Sequence, residues 1–169
     1  MNTIIGQDHL VNNIKRILEI FVTSEQEIRP HFILTGFSGS GKTMVVKAAL
    51  EECGVSMVQI NAAQITKEGF SGNSLSKALE PLRNLQNQPC VVFVDEWDKI
   101  YSTKESSLIG DSFSSLQDEF LKMLEGGNTS IFGSYGNYDE ISLDRVLFIF
   151  AGSFNNQENV DQDFLRSVG

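Results

Sequence analysis

Two stretches of the chain, Val91-Val92-Phe93-Val94 and Val146-Leu147-Phe148-Ile149-Phe150, are apolar at every position. That is the pattern of strands covered on both faces of a parallel sheet. Phe32-Ile33-Leu34 and Met57-Val58-Gln59-Ile60 read as two further strands. Between the strands the spacing changes to that of helices. Leu10, Val11, Ile14, Ile17, Leu18 and Phe21 fall on one helical face, and the helix is expected to end near Ser24. A polar, acidic linker, Ser24-Glu25-Gln26-Glu27, then leads through Arg29-Pro30 into the first strand.

A second helix is predicted from about Lys42 to Cys53, with Gly54 just beyond its end. Asn61 to Gly72 reads as a loop with a helical turn. Leu75, Ala78, Leu79, Leu82 and Leu85 mark another helix, interrupted at Pro81 because proline lacks the amide hydrogen that a helix interior needs. Ser102 to Ser115 is polar and serine-rich, and gives way to a helix on Leu116, Phe120, Leu121 and Leu124 that Gly126-Gly127 stops. Ile131 to Ile141 reads as a β-hairpin. The alternation predicts a single three-layer α/β domain with a mainly parallel sheet, and no internal repeat is present.

Composition narrows the class. The 169 residues are 41% hydrophobic and 21% charged, ordinary values for a globular protein able to bury a core. With 13 Lys and Arg against 22 Asp and Glu, the net charge of −9 disfavours general nucleic-acid binding. There is no run of eighteen apolar residues and no signal-peptide layout, so a cytoplasmic protein without membrane contact is expected. Cys53 and Cys90 lack metal-ligand spacing and read as buried free thiols.

The densest chemical signal is Gly36-Phe37-Ser38-Gly39-Ser40-Gly41-Lys42-Thr43, which fits G-x-x-x-x-G-K-[ST]. Directly after a strand and before a helix, this spacing makes a phosphate-binding loop. Its glycines let successive amides turn toward one anion, and the helix N-terminus adds positive partial charge. Lys42 is expected on the β- and γ-phosphates of a bound nucleotide and Thr43 on Mg²⁺, with Met44 following them in the helix. Asp95-Glu96 closes the third strand, and Gly152-Ser153 lies just past the fourth. In parallel sheets, ligands bind beyond the carboxyl ends of the strands, so all three signals converge on one crevice. Asp95 is the candidate Mg²⁺ ligand and Glu96 the candidate general base for activating water.

Ile5-Gly6-Gln7, the phosphate loop, Val91 to Glu96 with Trp97-Asp98-Lys99-Ile100, and Leu121-Lys122-Met123-Leu124-Glu125-Gly126 together resemble the AAA+ ATPases. Within them the resemblance is strongest to the Clp branch of ClpX- and HslU-like unfoldases. It implies Mg·ATP hydrolysis driving protein unfolding or remodelling in a ring of like subunits, a hexamer in that family's usual form, with polypeptide as substrate and a peptidase as a candidate partner. By the same resemblance, Ile4, Ile5 and Gly6 are similar to the segment that packs on adenine; a plain helix cap is the alternative. Gly69-Phe70-Ser71-Gly72 is similar to the aromatic pore loop that grips substrate, with Phe70 as the gripping side chain and Ser71 departing from the pattern; a surface turn is the alternative. The residue that senses the γ-phosphate is Ser153 or Asn155, and position favours Ser153.

The resemblance also implies parts that this sequence does not match. The arginine finger, a fifth core strand and a helical lid would begin where the chain stops, so the reading is a C-terminally truncated large nucleotide-binding subdomain over residues 1–169. Phe32 to Leu34 should then form a sheet edge, and the isolated chain should hydrolyse ATP weakly or not at all. Two rivals are weighed: a nucleotide-dependent scaffold that does no mechanical work, and a P-loop kinase that passes phosphate to a small acceptor.

Overall fold

The computed structural model describes residues 6–25, 28–67, 73–101 and 107–153. Helix α1, Asp8–Thr23, buries Val11, Ile14, Leu18 and Phe21, a single helical stripe. Strand β1, Phe32–Thr35, leads into helix α2, Lys42–Cys53, which Gly54 ends in the left-handed conformation. Strand β2, Ser56–Asn61, is followed by a short helix α3, Ala62–Lys67, the helical turn expected in that loop. Helix α4, Asn73–Ala78, stops ahead of a 3₁₀ segment, Glu80–Leu85, with Pro81 in its first turn. The predicted interruption therefore falls where proline's missing amide costs no hydrogen bond.

Strand β3, Cys90–Asp95, and a 3₁₀ turn, Trp97–Tyr101, precede helix α5, Ser107–Leu124. This helix begins well inside the stretch read as a polar lead-in, because serine-rich composition obscured the helical spacing of Leu108, Ile109, Phe113 and Leu116. Strands β4, Asn128–Phe132, and β5, Tyr138–Ser142, form the expected antiparallel hairpin, and β6, Val146–Gly152, completes the described elements.

The main sheet has four parallel strands in the order β1-β6-β3-β2. Among the described residues, β1 is one of its edges. Alternate residues of the two central strands feed two separate cores. Val91 and Phe93 of β3, with Leu147, Ile149 and Ala151 of β6, pack under α1 and α2. Val92, Val94, Phe148 and Phe150 pack on the other face, against Leu75 and Leu79 of the α4 region, Leu116 and Phe120 of α5, and Ile131 and Ile141 of the hairpin. Both faces of these strands are thus covered, as their unbroken apolar runs require. The result is the three-layer α/β fold that the alternation predicts.

Trp97 is fully buried and packs against Phe120 and Phe150 at centroid distances of 5.1 and 4.9 Å. It draws the turn after β3 down against the core and so fixes where Asp95 and Glu96 emerge. At the opposite, amino-terminal end of the sheet, Arg29 donates to the carbonyls of Leu124, Leu143 and Val146 at 2.8, 3.1 and 3.2 Å. His31 Nδ1 accepts the Phe148 amide hydrogen at 2.9 Å. Both cysteines are free. Cys90 is buried and its thiol is pushed up to about 12 by that burial, whereas Cys53 is only half-buried, contrary to expectation, because it lies at the end of α2. No described helix is long and apolar enough to cross a membrane.

Candidate functional site

The loop between β1 and α2 and the ends of β3 and β6 meet around an open cleft of about 340 Å³. Ser38 to Met44, Asp95, Glu96, Asp98, Lys99, Gly152 and Ser153 line it. The loop is tied to the sheet by the Gly36 amide, which donates to the Gly152 carbonyl at 3.3 Å. Gly41 caps α2 at φ 83°, a left-handed conformation that a side chain resists, and so turns the helix N-terminus toward the cleft. Lys42 Nζ donates to the Gly36 and Phe37 carbonyls of its own loop at 2.7 and 2.9 Å. An anion seated in the loop would exchange for those contacts. Phe37 itself is 78% exposed and, with Gly36, does not line the cleft.

Thr43 Oγ1 donates to Asp95 Oδ2 at 3.3 Å, which joins the start of α2 to the end of β3. Two hard oxygen donors side by side fit Mg²⁺, which takes one or two protein oxygens and fills its octahedron with water and phosphate. They do not form a closed cage, and no group of three or more His, Cys, Asp or Glu able to hold a metal occurs among the described residues. The site therefore suits an ion that arrives with its phosphates.

Glu96 is exposed in the cleft and adopts φ 55°, a backbone conformation that costs a side-chain-bearing residue on the order of 1–3 kcal/mol. Three neighbours hold it there. Its amide donates to Asp95 Oδ1 at 2.8 Å, its carbonyl accepts from the Lys99 amide at 3.0 Å, and Trp97 anchors the next position. Held in this way, Glu96 lines the cleft just past the end of β3.

Ser153 lines the same cleft, and its hydroxyl donates to Asp98 Oδ2 at 2.8 Å. Asn155, Phe70, Ile4 and Ile5 lie outside the described residues. Gly6 is described and exposed, but it does not line the cleft. Its neighbour Gln7 does reach the loop, donating from Nε2 to the Ser40 carbonyl at 2.8 Å. Sequence reasoning assigned no role to Gln7, Asp98 or Lys99. Their place in the resembling motifs was the available signal.

Chemically, the cleft combines a helix N-terminus and two lysines for an anion, paired oxygens for a hard cation, and one exposed carboxylate for moving a proton.

The model of the ATPase family associated with various cellular activities (AAA) matches residues 32–168. The chain is 29% identical to the ATP-dependent Clp protease ATP-binding subunit ClpX of Treponema denticola over 160 residues, 85% of this chain and 38% of that protein. It is 27% identical to the ATP-dependent zinc metalloprotease FTSH 6, chloroplastic, of Arabidopsis thaliana, covering 95% of this chain and 25% of that protein. It is 30% identical to human fidgetin-like protein 1 over 80% of this chain and 18% of that protein. The chain thus spans well under half the length of these relatives.

Proposed function

Because the chain belongs to the AAA family of ATPases, we propose that its cleft binds Mg·ATP and hydrolyses it between subunits of a ring to unfold or remodel polypeptide. The observation that carries the reading is the meeting of Lys42, the Thr43–Asp95 pair and the strained Glu96 in one cleft. Lys42 and the amides of the loop from Gly36 to Thr43 hold the phosphates, with Met44 beside them at the cleft wall. Thr43 and Asp95 hold Mg²⁺, which when bound neutralises charge developing on the phosphates. Glu96 accepts the proton of the attacking water. Ser153 senses the terminal phosphate, and Ile4, Ile5 and Gly6 pack on adenine. Phe70 grips the substrate polypeptide.

Placement in the Clp branch is the finer part of the proposal. Asp95-Glu96 with Asp98-Lys99-Ile100, Leu121 to Gly126 and the similarity to ClpX support it. Relatives named for a zinc metalloprotease and for fidgetin match at comparable identity, so the family as a whole has broader support than this branch. In a ring, an arginine from the neighbouring subunit completes the site, a contribution worth roughly 10³–10⁵ in rate for nucleotide hydrolysis.

Glu96→Gln in a ring-competent assembly tests the reading. Turnover should fall by roughly 10²–10⁴-fold while ATP is still retained. A scaffold would be indifferent to the substitution, and phosphate appearing on an acceptor instead of free in solution would identify a kinase.

A further inference from the structure

Ser153 has one hydroxyl hydrogen, and the fold has already committed it. Its Oγ donates to Asp98 Oδ2 at 2.8 Å, and the Asp98 side chain, 13% exposed, also lies 3.8 Å from Lys99 Nζ. All three residues line the cleft with Lys42 and Thr43. While Ser153 donates to a carboxylate, it can show an approaching phosphate only lone pairs, which repel it. Sensing the terminal phosphate through Ser153 therefore requires that hydrogen to change acceptor.

We infer that Asp98 is a positioning residue that competes with the terminal phosphate of a nucleoside triphosphate for the Ser153 hydroxyl hydrogen. Both acceptors are anionic, but the terminal phosphate carries the greater charge, so the exchange favours the ligand by only part of one hydrogen bond. Asp98 stands two residues beyond Glu96 on the turn that Trp97 anchors. Transfer of the hydrogen removes one hydrogen bond between that turn and the residue that follows β6 when a triphosphate, and not a diphosphate, is bound. The inference rests on reading the cleft as an ATP site.

Equilibrium binding of a non-hydrolysable ATP analogue and of ADP, each with Mg²⁺, to the full chain tests it. Asp98→Ala should raise the preference for the triphosphate over the diphosphate by about tenfold, the size of one charge-assisted hydrogen bond returned to the ligand. Ser153→Ala should lower that preference, and in its background Asp98→Ala should have no further effect. An unchanged preference in Asp98→Ala overturns the inference. So does an equal rise with and without the Ser153 hydroxyl, which would mark simple relief of charge repulsion. If Asp98→Ala does not fold, an unaltered preference in Ser153→Ala overturns it alone. Failure of the unsubstituted chain to bind either nucleotide would instead sink the ATP-site reading, and this inference with it.

Discussion

The two ends of the parallel sheet use similar polar groups to opposite effect. At the amino-terminal end, Arg29 gives its hydrogens to three backbone carbonyls, and His31 accepts the Phe148 amide in place of a strand partner. At the carboxyl end, Glu96 is exposed, and Lys42 rests on carbonyls of an open loop that a phosphate can replace. Polar groups committed to the fold's own buried acceptors hold the fold together. Groups left facing a cleft, even at the cost of the Glu96 backbone strain, are available to a ligand. The division predicts that damage to one end registers in stability and damage to the other in nucleotide chemistry.

The largest expected separation is between Glu96→Gln, whose loss of turnover should leave the thermal melt nearly unchanged, and Arg29→Met. Removing the guanidinium strands the carbonyls of Leu124, Leu143 and Val146. Hydrogen bonds to charged groups contribute roughly 1.5–3 kcal/mol each and do not add fully, so a loss of about 3–4 kcal/mol is expected. For a chain of this size that lowers the melting temperature by roughly 10 °C. Nucleotide affinity of the folded fraction should not change. A variant that melted normally yet lost nucleotide would break the comparison.

How much of this was legible in the sequence follows from which partners carry a side-chain signature. Strands β3 and β6 were visible because burial on both faces forbids polar residues along Val91 to Val94 and Val146 to Phe150. The loop from Gly36 to Thr43 was visible because its geometry needs particular residues at fixed spacing. Arg29 was not, since its three acceptors are backbone carbonyls that any sequence provides. The Gln7 contact to the loop and the Asp98–Ser153 bond join residues 33 and 55 positions apart, a proximity that only the folded sheet creates. Composition hid the start of α5, where serines flank a helical spacing of apolar positions.

A smaller effect should appear in the pH dependence of stability. Burial, and then the Arg29 charge, lower His31 from the ordinary 6.5 to about 4. Between those values the unfolded chain binds the proton more readily than the native one. Stability from this group is therefore complete above about pH 6.5 and declines as the pH falls toward 4, by at most about 3 kcal/mol at 1.36 kcal/mol per unit. His31→Gln retains an acceptor for the Phe148 amide but has no proton to gain. The difference between the two melting profiles across this window isolates the imidazole from the carboxylates that titrate nearby. Parallel profiles would show that His31 does not contribute.

The smallest predicted effect tests whether the amino-terminal end is packed as tightly as its hydrogen bonds imply. Gly126 and Gly127 follow α5 with φ of 90° and 85°, so an alanine at either pays for left-handed backbone, about 1 kcal/mol. Only at Gly126 would the added Cβ also meet Arg29, at 2.7 Å from Nη2; at Gly127 nothing lies within 4 Å. An arginine tip normally yields to such a contact, but this one is held by three carbonyls and can move only by loosening them. Gly126→Ala should therefore cost about 1 kcal/mol more than Gly127→Ala, read as a difference in denaturation midpoint. In the Arg29→Met background the two should become equal, because the obstacle is gone. Equal costs in the unsubstituted chain would mean that Arg29 has slack, and that the stitched end of the sheet is looser than its three bonds suggest.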